Sequence, residues 1–430
     1  MKKRTLSLLL VLALLLTSLS TALVGCAKEG TSSDNSVTTL YVYNWGEYIS
    51  DGSEDTLDVN EMFEEWYFEQ TGKRVKVNYS TYSSNESMYA KISSGSVNYD
   101  VIVPSDYMIE RLIDEDLLAK LNYDNIPEIG NILPDFQNAD YDPDLNKDGY
   151  NDYSVPYLYG MIGIIYNTTM VDEEDIGSWD LMWNPKYAGN ILQFNNSRDA
   201  FGSAMYNLGL GDQVNTDDEA IWHMALAELK AQKPILQGYV MDEIYNKMEN
   251  GSAAIAAYYA GDYLTMYENN EDLEFYYPSE GTNLYVDAMC IPKASRNKEL
   301  AEAYINFMLM AEPARANAEY TYYASPNATV VGDPEYEAYM NEIKEDGYEK
   351  MYLTKDIDGN DVSTSSYRNL KGDKLLLLNN LWEELKSDIS VSGGIYAICG
   401  VILATMIGLG TFLYVRNRRR RRFVDGLWSD

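Results

Sequence analysis

The sequence predicts an α/β protein of two lobes with a ligand cleft between them. Two observations carry that expectation. Short β-prone runs alternate with helical stretches at the spacing of βαβ units, which build parallel sheets. An acidic loop at 142–152 interrupts the alternation, a strand pattern restarts at Gly160, and 430 residues suffice for two ordinary cores.

In chain order, residues 40–43 read as a strand, and 61–71 as a helix that Gly72 closes. Residues 75–79 are the next strand and 87–94 a helix, followed by a buried strand at 99–103 that Pro104 ends. A helix follows at 109–115. After the restart at 160–166 come helices near 198–208 and 217–230 and a strand at 253–258. A strand at 285–291 and helices at 298–310 and 372–386 complete the pattern. No internal repeat or long low-complexity tract is visible.

The first strand is the most informative. It ends in Tyr43-Asn44-Trp45-Gly46-Glu47-Tyr48, which sets an indole, a carboxylate and two phenols in six residues. Strand ends of α/β sheets are where ligands bind. An aromatic wall beside a carboxylate suits a desolvated organic cation. Taken alone, the segment fits a half-buried strand with a packed Trp45 equally well.

Both ends of the chain look membrane-directed. Residues 1–25 read as a secretory signal, with Lys2, Lys3 and Arg4 ahead of an apolar run. It closes in Leu23-Val24-Gly25-Cys26, which resembles a bacterial lipobox and makes Cys26 the expected lipidation site, followed by a flexible tether over 26–37. Residues 393–415 are uncharged and long enough to cross a bilayer. The arginine block that follows marks 416–430 as a cytoplasmic basic tail. The expected location is therefore the extracytoplasmic face of the cell membrane.

Of 33 basic residues nine lie in the signal and the tail, and of 67 acidic ones only Asp425 and Asp430 do. The span from Cys26 to Ser392 thus carries a net charge of −41, which repels nucleic acid and concentrates cations. Cys290 is the one cysteine expected outside the membrane, so no intradomain disulfide forms. His223 is the only histidine, which removes most histidine-dependent hydrolases and His-rich metal sites. No nucleophile-elbow, zincin, Walker or dinucleotide fingerprint is present.

Seven segments in one order then resemble the substrate-binding proteins of polyamine (spermidine/putrescine) ABC importers, from about Leu40 to Asn327. They are the turn at 43–48 and the stretches 79–91, 99–105, 153–157, 197–201, 286–289 and 323–327. The resemblance implies the type II periplasmic-binding-protein fold. Lobe one would be 38–161 with 286–332, and lobe two 162–285 with 333–388. It also implies a polyamine ligand captured in the cleft, and permease and ATPase subunits as partners.

Residue by residue, the resemblance places Trp45, Glu47 and Tyr48 in the ligand slot, with Ser105 and Tyr107 after the third strand. Asp199 matches a carboxylate at a helix start, and Asp287 the principal amine-binding carboxylate. Mid-strand in an apolar run, Asp287 would otherwise be an unpaired buried charge. Tyr323 would lie along the methylenes. Three positions depart from the pattern. Tyr259 and Tyr285 replace tryptophans of spermidine-specific members, and Asn196 stands where an aspartate is expected. Asp262, in Tyr259-Ala260-Gly261-Asp262, matches the ammonium-binding aspartate of putrescine-specific relatives, or is an ordinary helix-start acid. Putrescine and spermidine stay unseparated.

No cofactor is expected, apart from a structural Ca2+ in the inserted loop. There Asp144, Asn146 and Asp148, then Gly149, the Tyr150 carbonyl and Asp152, fit the start of a calcium loop. Val155 stands where the bidentate glutamate belongs, and an acidic solvated turn is the alternative. Beside polyamine capture for an importer stands a membrane-tethered polyamine sensor signalling through a partner. An enzyme is not expected, since the scattered carboxylates form no acid/base pair by spacing.

Overall fold

The computed structural model describes residues 37–53 and 56–387, together with 405, 406, 408, 409, 411 and 416. The signal, Cys26, nearly all of 393–415 and all of the basic tail but Arg416 lie outside the described residues. Among the described residues no helix is long and apolar enough to cross a membrane.

The strands are β1 (Thr38–Trp45), β2 (Val75–Tyr82), β3 (Val101–Ile102), β4 (Ser154–Asn167) and β5 (Ile191–Phe194), then β6 (Leu236–Val240), β7 (Ile255–Tyr259), β8 (Leu273–Tyr276), β9 (Thr282–Cys290) and β10 (Thr364–Ser365). Their order is β2-β1-β3-β9-β4-β7-β5-β6, with β10 on β9 and β8 on β4. The order contains two parallel groups. β1 has β2 and β3 as parallel neighbours, and β5 has β6 and β7.

Antiparallel β4 and β9 join the groups. Ser154–Met161 of β4 pairs with β9, and from Ile162 onward the same strand pairs with β7 and β8 instead. Nearly every residue of β4 and β9 is buried, so neither strand shows the polar–apolar alternation of a half-exposed strand. β4 starts six residues before the strand read at Gly160. Pro156 hides that start, and the ladder accommodates it through a register shift between Pro156 and Leu158.

Twelve α-helices are described, beside short 3-10 turns: α1 (Val59–Thr71), α2 (Asn85–Ser94), α3 (Asp106–Asp114), α4 (Ser197–Asn207), α5 (Glu219–Gln232), α6 (Glu243–Glu249), α7 (Ala260–Asn269), α8 (Lys298–Met308), α9 (Ala311–Thr321), α10 (Pro334–Ile343), α11 (Gly347–Tyr352) and α12 (Asp373–Ser387). Their starts follow cap chemistry. Asp58, Ser84 and Asn196 each accept a backbone amide from the first turn of α1, α2 and α4. Gly72 ends α1 at φ 69°, a left-handed conformation that glycine adopts without a Cβ penalty. The 99–103 strand shrinks to Val101–Ile102, because only those residues reach the ladder with β1.

Candidate functional site

In both parallel groups the C-terminal strand ends open onto one cavity of about 830 Å³, mouth included. This is where an open α/β sheet binds ligands. All twelve residues expected in the ligand slot line it. Trp45, Glu47, Tyr48, Ser105 and Tyr107 come from the β1 and β3 ends, and Asn196, Asp199, Tyr259 and Asp262 from the β5 and β7 ends. Tyr285 and Asp287 come from β9, and Tyr323 from the turn after α9.

Asp287 is 4% exposed, and hydroxyls hold both its oxygens. Tyr48 donates to Oδ2 at 2.8 Å and Ser105 to Oδ1 at 2.6 Å. Burial pushes its carboxyl up to about 7, against the pull of these two donors. Tyr285 sits two residues earlier on the same face of β9 and meets Tyr259 edge-on at 5.3 Å.

Asp199 lies in the first turn of α4 and accepts the Tyr259 hydroxyl at 2.7 Å and the Asn196 amide at 2.6 Å. Burial raises it to about 6. Asn196 has both amide atoms turned to Asp199, because its Oδ1 also takes the Asp199 backbone N–H at 2.8 Å. The exchange of an acid for an amide here therefore removes a charge and supplies a cap and a clamp.

Asp262 lies in the first turn of α7 and also lines the cavity. Its Oδ1 accepts the Tyr245 hydroxyl at 2.8 Å, and burial pushes it up to about 7, with Asp242 and Glu47 adding to the rise. Tyr323 lies edge-on to Tyr48 at 4.9 Å. Trp45 is fixed through its indole N–H to the Val103 carbonyl at 2.9 Å. Tyr107 donates to Glu86 at 3.0 Å and accepts from Asn85 at 3.2 Å. Glu47 is exposed at the mouth, in a left-handed conformation at φ 50°.

Three further acids line the cavity: Glu86, Asp106 and Asp242. Asp106 is nearly inaccessible, and burial pushes it up to about 8. It lies between Ser105 and Tyr107, so proximity to two expected residues was the available signal. Asp242 and Tyr245 follow β6, a strand with no readable pattern. In total seven carboxylates and nine aromatic rings line the cavity, with no lysine, arginine or histidine. The buried Arg198 guanidinium stands behind the Tyr107 and Tyr367 rings and offsets part of the charge of Asp106 and Asp199. An organic cation in the cavity would relieve the cost of the other buried carboxylates while the rings cover its methylenes.

In the loop expected to hold calcium, the acids bond to backbone amides of the loop and to Lys120. Asp144 accepts the backbone amides of Asp148 and Gly149, Asp148 accepts that of Tyr150, and Asp152 is paired with Lys120. The acids close the turn on itself. Among the described residues no group of three or more His, Cys, Asp or Glu could hold a metal ion.

A family model described as bacterial extracellular solute-binding protein matches residues 61–343. The spermidine/putrescine-binding periplasmic protein of Salmonella typhimurium is 30% identical over 83% of this chain and 93% of its own length. The spermidine/putrescine ABC transporter substrate-binding protein of Streptococcus pneumoniae, solved with calcium and HEPES, has a TM-score of 0.61 at 34% identity, covering 81% of this chain and 98% of that one. A lipoprotein of Treponema pallidum has a TM-score of 0.64 at 25% identity, covering 81% and 99%. With well over half of its length matched, this chain belongs to the bacterial extracellular solute-binding proteins, a family of transport components and not of enzymes.

Proposed function

We propose that the chain captures a polyamine, putrescine or spermidine, in this cavity and delivers it to the permease and ATPase of an ABC importer. The observation that carries the reading is the lining itself: seven carboxylates interleaved with nine rings and no cationic side chain. The names of the relatives agree with it. The two lobes would be 38–161 with 286–332 and 162–285 with 333–388, closing over the ligand. The change of partner between Met161 and Ile162 of β4 supports that division.

The protein would work on the outer side of the cell membrane, held by a lipid on Cys26 and by a helix over 393–415. The sequence of both ends and the lipoprotein from Treponema pallidum support this. Fatty-acid labelling of wild type and Cys26→Ala tests the first anchor, and protease access to the arginine tail in intact cells tests the second.

Calorimetric titration of the full-length chain with putrescine, spermidine, glutamate and maltose tests the ligand. The expected result is micromolar or tighter binding of a polyamine alone, lost in Asp287→Ala. Absence of polyamine binding at millimolar ligand sinks the proposal.

A further inference from the structure

A second cavity, of about 760 Å³ with its mouth included, shares a wall with the first. Glu86 and Tyr107 line both and form that wall. Its size is that of a small-molecule site. One side is built by α2 and α3, the other by the start of α4 and the segment from Asn369 into α12. The two linings differ in charge. The first holds seven carboxylates and no basic side chain, whereas the second holds Arg111 and Arg198 against the single carboxylate of Glu86.

The donors in the second cavity are not all taken. Arg111 gives its Nε to Glu115 at 3.0 Å, and its Cζ lies 3.5 Å from the centre of the Tyr89 ring. Both of its Nη atoms lack an acceptor among the described residues, although the side chain is only 18% exposed. Two free Nη atoms form a planar fork that matches a carboxylate. The nearby acids are occupied: Glu115 also takes the Tyr89 hydroxyl at 2.6 Å, and Oε1 of Glu86 takes the Tyr107 hydroxyl at 3.0 Å. Ser197, 7% exposed, adds a hydroxyl without a partner among the described residues. Arg198 is buried, with Nη1 and Nη2 held by Val214 and Asn215, and part of its charge already answers Asp106 and Asp199. It supplies background positive charge more than a contact. The remaining wall is largely apolar, from Met108, Leu370, Leu375 and Leu378. A phosphate would meet one fork and then these side chains, which an aliphatic chain covers favourably.

We propose that this second cavity binds a monocarboxylate with a short aliphatic chain, its carboxylate on the Arg111 fork and its chain against Leu375 and Leu378, and that its occupancy strengthens cation binding in the first. Two features support the coupling. The ligand touches α3 and α12 at once, and so holds the two sides of the molecule together. It also sets a negative charge across the Glu86–Tyr107 wall from the ammonium groups. By linkage the polyamine strengthens the carboxylate to the same degree. The coupling rests on the polyamine reading above, and the site does not.

The test is calorimetric titration of the full-length chain with octanoate, acetate and inorganic phosphate, with and without saturating putrescine. Octanoate is expected to bind below about 1 mM, acetate at least about tenfold more weakly, and phosphate not at all at about 10 mM. Arg111→Met keeps the apolar stem without the fork and weakens octanoate at least about tenfold, and Leu375→Trp fills the space and abolishes binding. Thermal melts that match wild type exclude a folding defect. Octanoate should tighten putrescine about threefold in wild type but not in Arg111→Met. No octanoate binding at about 10 mM, or binding undiminished in both variants, overturns the site. Octanoate binding that leaves putrescine affinity unchanged overturns the coupling. If putrescine itself does not bind, the polyamine reading falls, and the titration without putrescine still decides the site.

Discussion

The Tyr48 hydroxyl donates to Oδ2 of Asp287 across 239 residues of chain, joining the turn after β1 to the middle of β9. With Ser105 on the other oxygen, the carboxylate is oriented before any ligand arrives. Asp287→Asn keeps the shape and removes the charge. Polyamine affinity is expected to fall at least 100-fold, about 3 kcal/mol. The ligand-free protein should melt higher at pH 8, because an uncompensated buried charge is gone. Titration and thermal melts of the variant check both halves, and a variant that binds normally refutes this role.

The raised carboxyls set a pH dependence. Asp262 and Asp287 sit at about 7 and Asp199 at about 6, against an ordinary 3.8. A carboxyl raised on folding contributes stability that is full below its unfolded value and lost as pH rises through its folded value. The ligand-free protein should therefore lose stability through these groups between about pH 4 and 7. A bound ammonium favours the ionised form, so affinity should rise over the same window, with protons released on binding at pH 6. Titrations in two buffers of different ionisation enthalpy count those protons. Proton uptake, or an affinity flat from pH 5.5 to 8, contradicts the assignment.

Asp287 was legible because an acid in the middle of an apolar strand demands a partner. Glu47 and Trp45 were legible because they follow an evident strand at its ligand-binding end. Asp242 was not. Its strand, β6, is only half-buried, contains Gly238, and leads directly into a seven-residue helix, so no period marks it. The placement of β9 between β3 and β4 is a long-range pairing that no local pattern encodes. The Asp-Asn-Asp-Gly spacing reads equally as a calcium loop and as a turn closed by its own amides, and the amide bonds to Asp144 fit both.

A second tie crosses the molecule. Arg368 donates to Glu110 of α3 through Nε at 2.9 Å and Nη2 at 3.2 Å, while the Asn369 backbone N–H reaches the same carboxylate at 2.9 Å. α3 begins with Asp106 and Tyr107 of the cavity wall, and the Arg368 segment is also held by Asn215, ahead of α5. Arg368 is 40% exposed, so the pair is worth no more than about 1 kcal/mol. Arg368→Ala is expected to raise the polyamine off-rate roughly threefold with little change in on-rate. Stopped-flow binding checks this, and a change confined to the on-rate counts against it.

Gly261 shows how closely the aromatic wall is fitted. A Cβ at this position would lie 2.4 to 2.6 Å from atoms of the Tyr323 ring, which is 5% exposed and abuts Tyr48. The ring cannot retreat without displacing Tyr48, whose hydroxyl orients Asp287. Two effects oppose each other in Gly261→Ala. Alanine favours the first turn of α7 by at most ~1 kcal/mol, whereas overpacking a filled site costs ~1–3 kcal/mol. The clash wins, because its neighbour is a buried ring and not the free end of a flexible chain. Polyamine affinity should fall about tenfold and the melting temperature should drop. Gly130→Ala is the control, since a Cβ there meets nothing within 4 Å. If Gly261→Ala binds as tightly as Gly130→Ala, the Tyr323 ring is not held against the ligand space by this contact.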